Sequence, residues 1–244
     1  MNRPKRCALE TFATTWNFIP WDKVKKIVRS LQRRIAKAIS ENNLNKAKAL
    51  QWLLTHSCAA KLMAVKRVTE NSGKNTPGID GVLWKSPNQK LKAANSLSRK
   101  GYIVKPLRRV YINKKNGTKR PLGIPTMKDR AMQALFLSTL DPVSETTADN
   151  ASYGFGIKRS CHDAIARCFM HLSQKVSATW VLEGDIKGCF DHISHEWILN
   201  NILIDKQIIT KWLKAGYIDK NRLFLTKEGT HKVVSFLPPL QTWY

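Results

Sequence analysis

The stretch EGDIKGCFDHIS, from Glu183 to Ser194, sets two carboxylates, Asp185 and Asp191, around an aromatic ring, Phe190. The apolar run Trp180-Val181-Leu182 leads into it, and WVLEGDI is predicted to be a short buried strand ending at Asp185. A carboxylate at a strand end has two ordinary uses. It can accept backbone N–H groups in a turn or cap, or it can hold a divalent cation, which prefers oxygen ligands. Both uses are open for Asp185. A second grouping is basic. In LRRVYINKKNGTKRPLGIP the cations Lys114, Lys115, Lys119 and Arg120 crowd around Asn116-Gly117, a pair that tolerates the positive φ of a tight hairpin turn. Lysines at such a tip either protect an edge strand or clamp a phosphate, and these two readings stand level. A third grouping lies in IPWDKVKKIVRSLQRRIAKAI. Trp21, Val24, Ile27, Val28, Leu31, Ile35 and Ala38 recur at three- and four-residue steps and predict an amphipathic helix. Its other face carries Lys23, Lys25, Lys26, Arg29, Arg33, Arg34 and Lys37, with Asp22 as the only acid in the run. Like charges at helical spacing repel one another, so an anionic partner competes evenly with a merely solvated face.

The rest of the composition points the same way. The 244 residues carry 42 Lys and Arg against 17 Asp and Glu, a net charge of +25. That excess implies a polyanionic partner. Apolar residues make up 43%, enough for a core, which excludes global disorder. No apolar run has transmembrane length, and MNRPKRCALETF lacks the apolar centre of a signal peptide. The five cysteines, Cys7, Cys58, Cys161, Cys168 and Cys189, form no C-x-x-C pair, which weakens zinc and disulfide readings and favours a reducing compartment.

The elements that must position these groups alternate irregularly, which predicts an α+β fold. The cluster NSGKNTPGIDG divides a helical region, residues 1–81, from a mixed region, residues 82–230. Leu44, Ala47, Leu50, Leu54, Cys58 and Leu62 predict a single second helix. TMKDRAMQALFLSTLDP predicts a helix burying Met127, Ala131, Met132, Leu135 and Leu140. Ser160 with Asp163 reads as a box-like helix start, which makes His162 a helix-start residue, and Ser194 opens a further helix. Neither G-x-G-x-x-G nor G-x-x-x-x-G-K-[ST] occurs.

Taken in order, four segments resemble group II intron reverse transcriptases, also called maturases. LQRRIAKAI through KALQWLLTHSCAAKLMAVKRVTENSGKNTPGIDG is similar to their N-terminal extension. RRVYINKKNGTKRPLGIPTMKDRAMQAL resembles their fingers hairpin and its following helix, SYGFGIKRSCHDAI the next block, and LEGDIKGCFDHISHEWIL the first catalytic block of the palm. The resemblance implies a helical extension followed by fingers and an incomplete palm of a right-hand polymerase. It implies an RNA-directed DNA polymerase that uses Mg²⁺, template and dNTP. Asp185 would be the catalytic metal ligand, helped by the Ile186 carbonyl. Phe190 would lie under the incoming sugar, and Lys114 and Arg120 would bind the triphosphate. Lys25, Lys26, Arg29, Arg33 and Arg34 would face intron RNA. A bacterial cytoplasm or an organelle would be the compartment.

The chain also departs from the family. It has Ile112-Asn113-Lys114 where the family has Ile-Pro-Lys, and Gly154-Phe155-Gly156-Ile157 where the family has Gly-Phe-Arg-Pro. The second metal-binding motif, an aromatic-Ala-Asp-Asp hairpin, occurs nowhere in the sequence, and no block resembles a thumb or maturase domain. After Glu228-Gly229-Thr230 the family continues Pro-Gln-Gly-Gly-Ile-Ile-Ser-Pro, whereas this chain reads HKVVSFLPPLQTWY. That tail is compatible with codons which, read one frame over, give Gln-Gly-Gly-Ile-Ile-Ser-Pro. Residues 231–244 are therefore expected to be an out-of-frame tail. Three functions remain open: a polymerase fragment, a non-catalytic RNA-binding splicing helper, and a non-functional remnant.

Overall fold

The computed structural model describes residues 15–113, 117–154, 159–177, 179–186, 188–226 and 228–229. The amphipathic pattern becomes α1, Trp21–Ser40, which buries Val24, Val28, Leu31, Ile35, Ala38 and Ile39 and turns its cations outward. The single helix expected next is two: α2, Leu44–His56, and α3, Cys58–Glu70. Ser57 breaks the run. Its backbone is extended and its hydroxyl accepts the Ala60 N–H, so it ends one helix and caps the next. Leu44, expected in the stripe, is the first residue of α2 and is exposed. Then follow α4, Pro87–Ser96, with a Ser86–Gln89 capping box, and α5, Met127–Thr147.

α5 is the centre of the fold. Met127, Ala131, Met132, Leu135 and Leu140 are all buried, and burial extends around most of its circumference. α1, α2 and α3 pack on it. Pro142 lies inside α5 and lacks the N–H that would bond the Ser138 carbonyl. Gln32 of α1 supplies the missing donor, with Nε2 2.9 Å from that carbonyl. Gln51 of α2 does comparable work, donating to the Thr139 and Leu203 carbonyls at 3.2 and 2.9 Å. The half-buried Gln32 amide and the buried Gln51 amide thus seat α1 and α2 on α5 in a fixed register, because an unbonded carbonyl away from water is costly. The Gly- and Asn-rich stretch at residues 71–81 is also tied to this helix: the Arg130 guanidinium donates to the Gly73, Thr76 and Pro125 carbonyls. A Cβ at Gly78 would stand 2.6 Å from the Thr126 backbone, so only glycine allows that approach. One hydrophobic core runs from Trp16 to Leu213 across this stretch.

The sheet is small and mixed, with order β2-β1-β3-β4. β1, Leu107–Asn113, pairs antiparallel with β2, Lys119–Ile124, as the hairpin signal predicts. β3, Tyr217–Asp219, lies parallel to β1 and antiparallel to β4, Arg222–Phe224. Lys220 and Asn221 both take positive φ between them, the geometry of a type I′ turn. α6, Cys161–Leu172, begins with the expected Ser160–Asp163 capping box. α7, His195–Asn201, begins at Ser194, whose hydroxyl accepts the Trp197 N–H, and α8, Lys206–Leu213, follows. The architecture is α+β, helical with one small sheet.

The strand expected at WVLEGDI is not formed: residues 180–186 belong to no strand or helix. Trp180 is 92% exposed and Leu182 97%. A strand is held by the ladder it shares with a neighbour, and none of the described residues pairs with this segment. Its apolar composition alone cannot make it one.

Candidate nucleotide and nucleic-acid site

The hairpin stands on a buried polar network that the motifs do not reveal. Thr126 caps α5, and its hydroxyl donates to Asp129 at 2.6 Å. Tyr102 also donates to Asp129 at 2.6 Å and accepts from Trp212 Nε1 of α8 at 2.9 Å. Burial holds the Asp129 carboxyl above its usual range, against the pull of the Thr126 and Tyr102 hydrogen bonds and one from the Lys105 backbone. Burial, with the Asp129 charge second, pushes the Tyr102 phenol far up. These residues lie just before β1 and just after β2, so they fix the root from which the hairpin rises.

On the hairpin, strand alternation puts Arg108, Val110 and Ile112 on one face, opposite Ile124, Leu122 and Arg120. Arg120 is exposed on the outer strand, with Lys119 exposed beside it. Lys114 and Lys115 lie outside the described residues. Asp185 is exposed, and Ile186 is 62% exposed. No hydrogen bond or ion pair joins Asp185 to another described residue. Phe190 is half-buried against the core in a single 3-10 turn, Cys189–Asp191. That turn is held from downstream. The Gly229 N–H donates to the Ile193 carbonyl at 2.9 Å, and His195 Nε2 bonds the Gly229 carbonyl at 2.8 Å. A Cβ at Gly229 would come 2.3 Å from the Asp191 carbonyl oxygen. The structure thus joins Phe190 and Asp191 to Gly229, while Asp185 stays in solvent.

As a test of a cation site, the described residues hold no group of three or more His, Cys, Asp or Glu side chains that could enclose a metal ion. One exposed carboxylate does not match the charge of two divalent ions, so the residues described here do not by themselves fit a Mg²⁺ pair.

The basic surface is better built. Lys26, Arg29, Arg33 and Arg34 of α1 are exposed, and none has an acidic partner among the described residues. Lys25 is half-buried and pairs with Asp22 at 3.4 Å. Lys25 and Arg29 also border a cavity of about 340 Å³ between α1, α3 and α5, which Lys66, Arg67 and Asp141 line as well. Arg67, exposed, widens the cationic surface beyond the residues singled out from sequence, while Lys66 pairs with Glu70 at 3.5 Å and lies 4.1 Å over the Trp21 ring. Burial pushes the Asp141 carboxyl up to about 6, with Arg67 opposing and Glu145 reinforcing the rise. An acid whose folded pKa exceeds its unfolded value keeps its proton longer in the fold. Its contribution to stability is therefore present at low pH and is lost as pH rises from about 4 towards 6. Asp141→Asn is expected to flatten that segment of the stability–pH curve and to stabilise the protein by roughly 1–3 kcal/mol at pH 7. Urea unfolding at pH 4 and pH 7 checks this; equal losses in both proteins between those pH values would refute it.

Comparison with known proteins agrees with this layout. The family described as the N-terminal domain of reverse transcriptase matches residues 16–97, and the reverse transcriptase (RNA-dependent DNA polymerase) family matches residues 112–238. This chain belongs to the reverse transcriptase family. Its relatives include group II intron-encoded proteins. The chain is 37% identical to the group II intron-encoded protein LtrA of Lactococcus lactis subsp. cremoris, over 69% of this chain and 29% of that protein. It is 32% identical to protein YkfC of Escherichia coli strain K12, over 83% of this chain and 56% of that protein. It is 35% identical to an uncharacterized 91 kDa protein in a cob intron of Schizosaccharomyces pombe, over 69% of this chain and 22% of that protein. The chain thus spans between a fifth and just over half the length of these relatives.

In this reverse transcriptase chain, α1 to α4 fall within the stretch matched by the N-terminal family, and β2, α5 and the segments after it fall within the stretch matched by the reverse transcriptase family. Among the described residues no helix is long and apolar enough to cross a membrane. The polar root of the hairpin escaped the motif reading because Tyr102, Asp129 and Trp212 are far apart in sequence. A Thr126-x-x-Asp129 capping spacing was its one visible sign.

Proposed function

We propose that this chain binds intron RNA through the outer face of α1, and that it carries the fingers and first palm block of a group II intron-encoded reverse transcriptase. The observation that carries the reading is the one-signed face of α1: Lys26, Arg29, Arg33 and Arg34 exposed without acidic partners, on a helix whose other face is fully engaged in the core. Salt bridges to protein would neutralise such a face; phosphates do so at the gain of released counterions. In this reading residues 1–81 are the RNA-facing region and residues 82–230 hold Arg120 and Lys114 for the dNTP phosphates, Phe190 for its sugar, and Asp185 with the Ile186 carbonyl for Mg²⁺. Arg offers a bidentate phosphate contact and Lys a point charge. The sequence contains no Asp-Asp dipeptide, so DNA synthesis by this chain alone is not part of the reading. A bacterial cytoplasm or an organelle suits it, since its relatives come from bacteria and from organellar introns.

Binding to intron RNA, measured against salt, tests the proposal. Each neutralised phosphate contributes about 0.7–0.9 to the slope of log affinity against log salt. Replacing Arg29, Arg33 and Arg34 together by Ala is expected to flatten the slope by about 2. An unchanged slope would place the RNA surface elsewhere.

A further inference from the structure

The sheet has a second face that the nucleotide clamp does not use. Alternation puts Arg109 and Tyr111 of β1 opposite to Arg108, Val110 and Ile112, and pairing brings Tyr217, Asp219, Arg222 and Phe224 to the same side. Three planar groups are stacked across neighbouring strands there. The Arg109 guanidinium lies 3.8 Å over the Tyr217 ring, and Tyr217 stacks on Phe224 at 5.2 Å with 14° between planes. Arg109 Nε is buried and has no hydrogen-bond partner among the described residues, so the guanidinium is placed by the ring beneath it. Tyr111 donates to Asp219 at 2.6 Å, which locks the strands together and occupies the one acid that the described strands bring to this face.

The stack is closed at one end and open at the other. Arg109 covers Tyr217 from the β1 side. Phe224 is on β4, the edge strand, and is 43% exposed. The surrounding charges are cationic: Arg222 lies two residues before Phe224 on the same face, and Lys220 is exposed in the adjoining turn. An aromatic plane at the open end of a rigid stack, ringed by cations, suits an unpaired nucleobase whose phosphates meet Arg222 and Lys220. The interior base pairs of a duplex cannot use it, because their faces are already stacked on each other. A protein partner is less suited, since the free charges beside the ring, Arg222 and Lys220, are both cationic and Asp219 is taken up by Tyr111.

We propose that this face holds a single-stranded segment of nucleic acid, with an unpaired base stacked on Phe224. The site is separate from α1 and does not depend on the reading of α1 as the intron-RNA surface. The test uses the full chain, a 12-nucleotide oligo(A) as RNA and as DNA, and a blunt duplex of equal charge. Phe224→Leu keeps an apolar side chain but removes the π face. It is expected to lower affinity for both single strands about 5- to 150-fold and leave duplex affinity unchanged. Phe224→Trp should bind single strands at least as well as the parent, which separates stacking from loss of fold. If Phe224→Leu binds the single strands as the parent does, or loses duplex affinity to the same degree, or if Phe224→Trp fails on single strands too, the proposal is overturned. A loss confined to the RNA oligomer also overturns it, because stacking on a ring is indifferent to the sugar. The Arg29, Arg33 and Arg34 variant acts on the salt slope and leaves the single-strand preference intact, so the two surfaces fail independently.

Discussion

Purified chain is expected to give no template-dependent primer extension with either Mg²⁺ or Mn²⁺. Phosphoryl transfer draws its rate almost wholly from positioning and from metal charge, with little covalent help from the protein. Two cations about 3.5–4 Å apart need several carboxylates to hold them. On the proposed reading Asp185 would supply one, and the sequence contains no Asp-Asp dipeptide. Two nearby acids are poor substitutes. Asp191 is engaged in the 3-10 turn held by Gly229, and Glu183 is exposed on the same unpaired segment as Asp185. Extension is therefore expected to fall below the floor of a primer-extension assay. When residues 1–230 are joined to a palm block that carries the Asp-Asp pair, extension should return, and Asp185→Asn should then abolish it. Extension by the chain alone that disappears in Asp185→Asn would refute this expectation outright.

Asp129→Ala is expected to cost about 3 kcal/mol of stability. The change leaves the Tyr102 hydroxyl, the Thr126 hydroxyl and the Lys105 N–H without their acceptor. Each orphaned buried donor costs about 1–3 kcal/mol. Relief from burying a carboxylate, whose pKa desolvation already raises, offsets part of that sum. For a chain of this size the expected fall in melting temperature is roughly 6–12 °C. Tyr102→Phe should cost less, about 1–2 kcal/mol, since only Trp212 Nε1 and one carboxylate oxygen lose a partner. Thermal unfolding followed by circular dichroism measures both. An Asp129→Ala protein that melts within about 2 °C of the parent would show that the network is not what roots the hairpin.

Helical periodicity alone located α1 and its cationic face, because a helix repeats every 3.6 residues and one buried stripe leaves the opposite face to solvent. Local chemistry also located the hairpin around Gly117, the Ser160 and Ser194 caps and the burial of α5, since each depends on residues only a few positions apart. The break at Ser57 was legible only in part: a serine inside an apolar stripe is either a helical residue or a cap, and its extended backbone decides. What the sequence by itself could not decide is everything made by distant pairs. β3 joins β1 across more than one hundred residues, so the stack of Arg109, Tyr217 and Phe224 exists only in the folded sheet. The same holds for Gln32 answering Pro142, and for Asp129 under Tyr102. The segment ending at Asp185 shows the converse. Its apolar residues have the composition of a strand, yet strand structure needs a neighbour to accept and donate its backbone hydrogen bonds. Among the described residues none does, and so Trp180 and Leu182 remain in solvent.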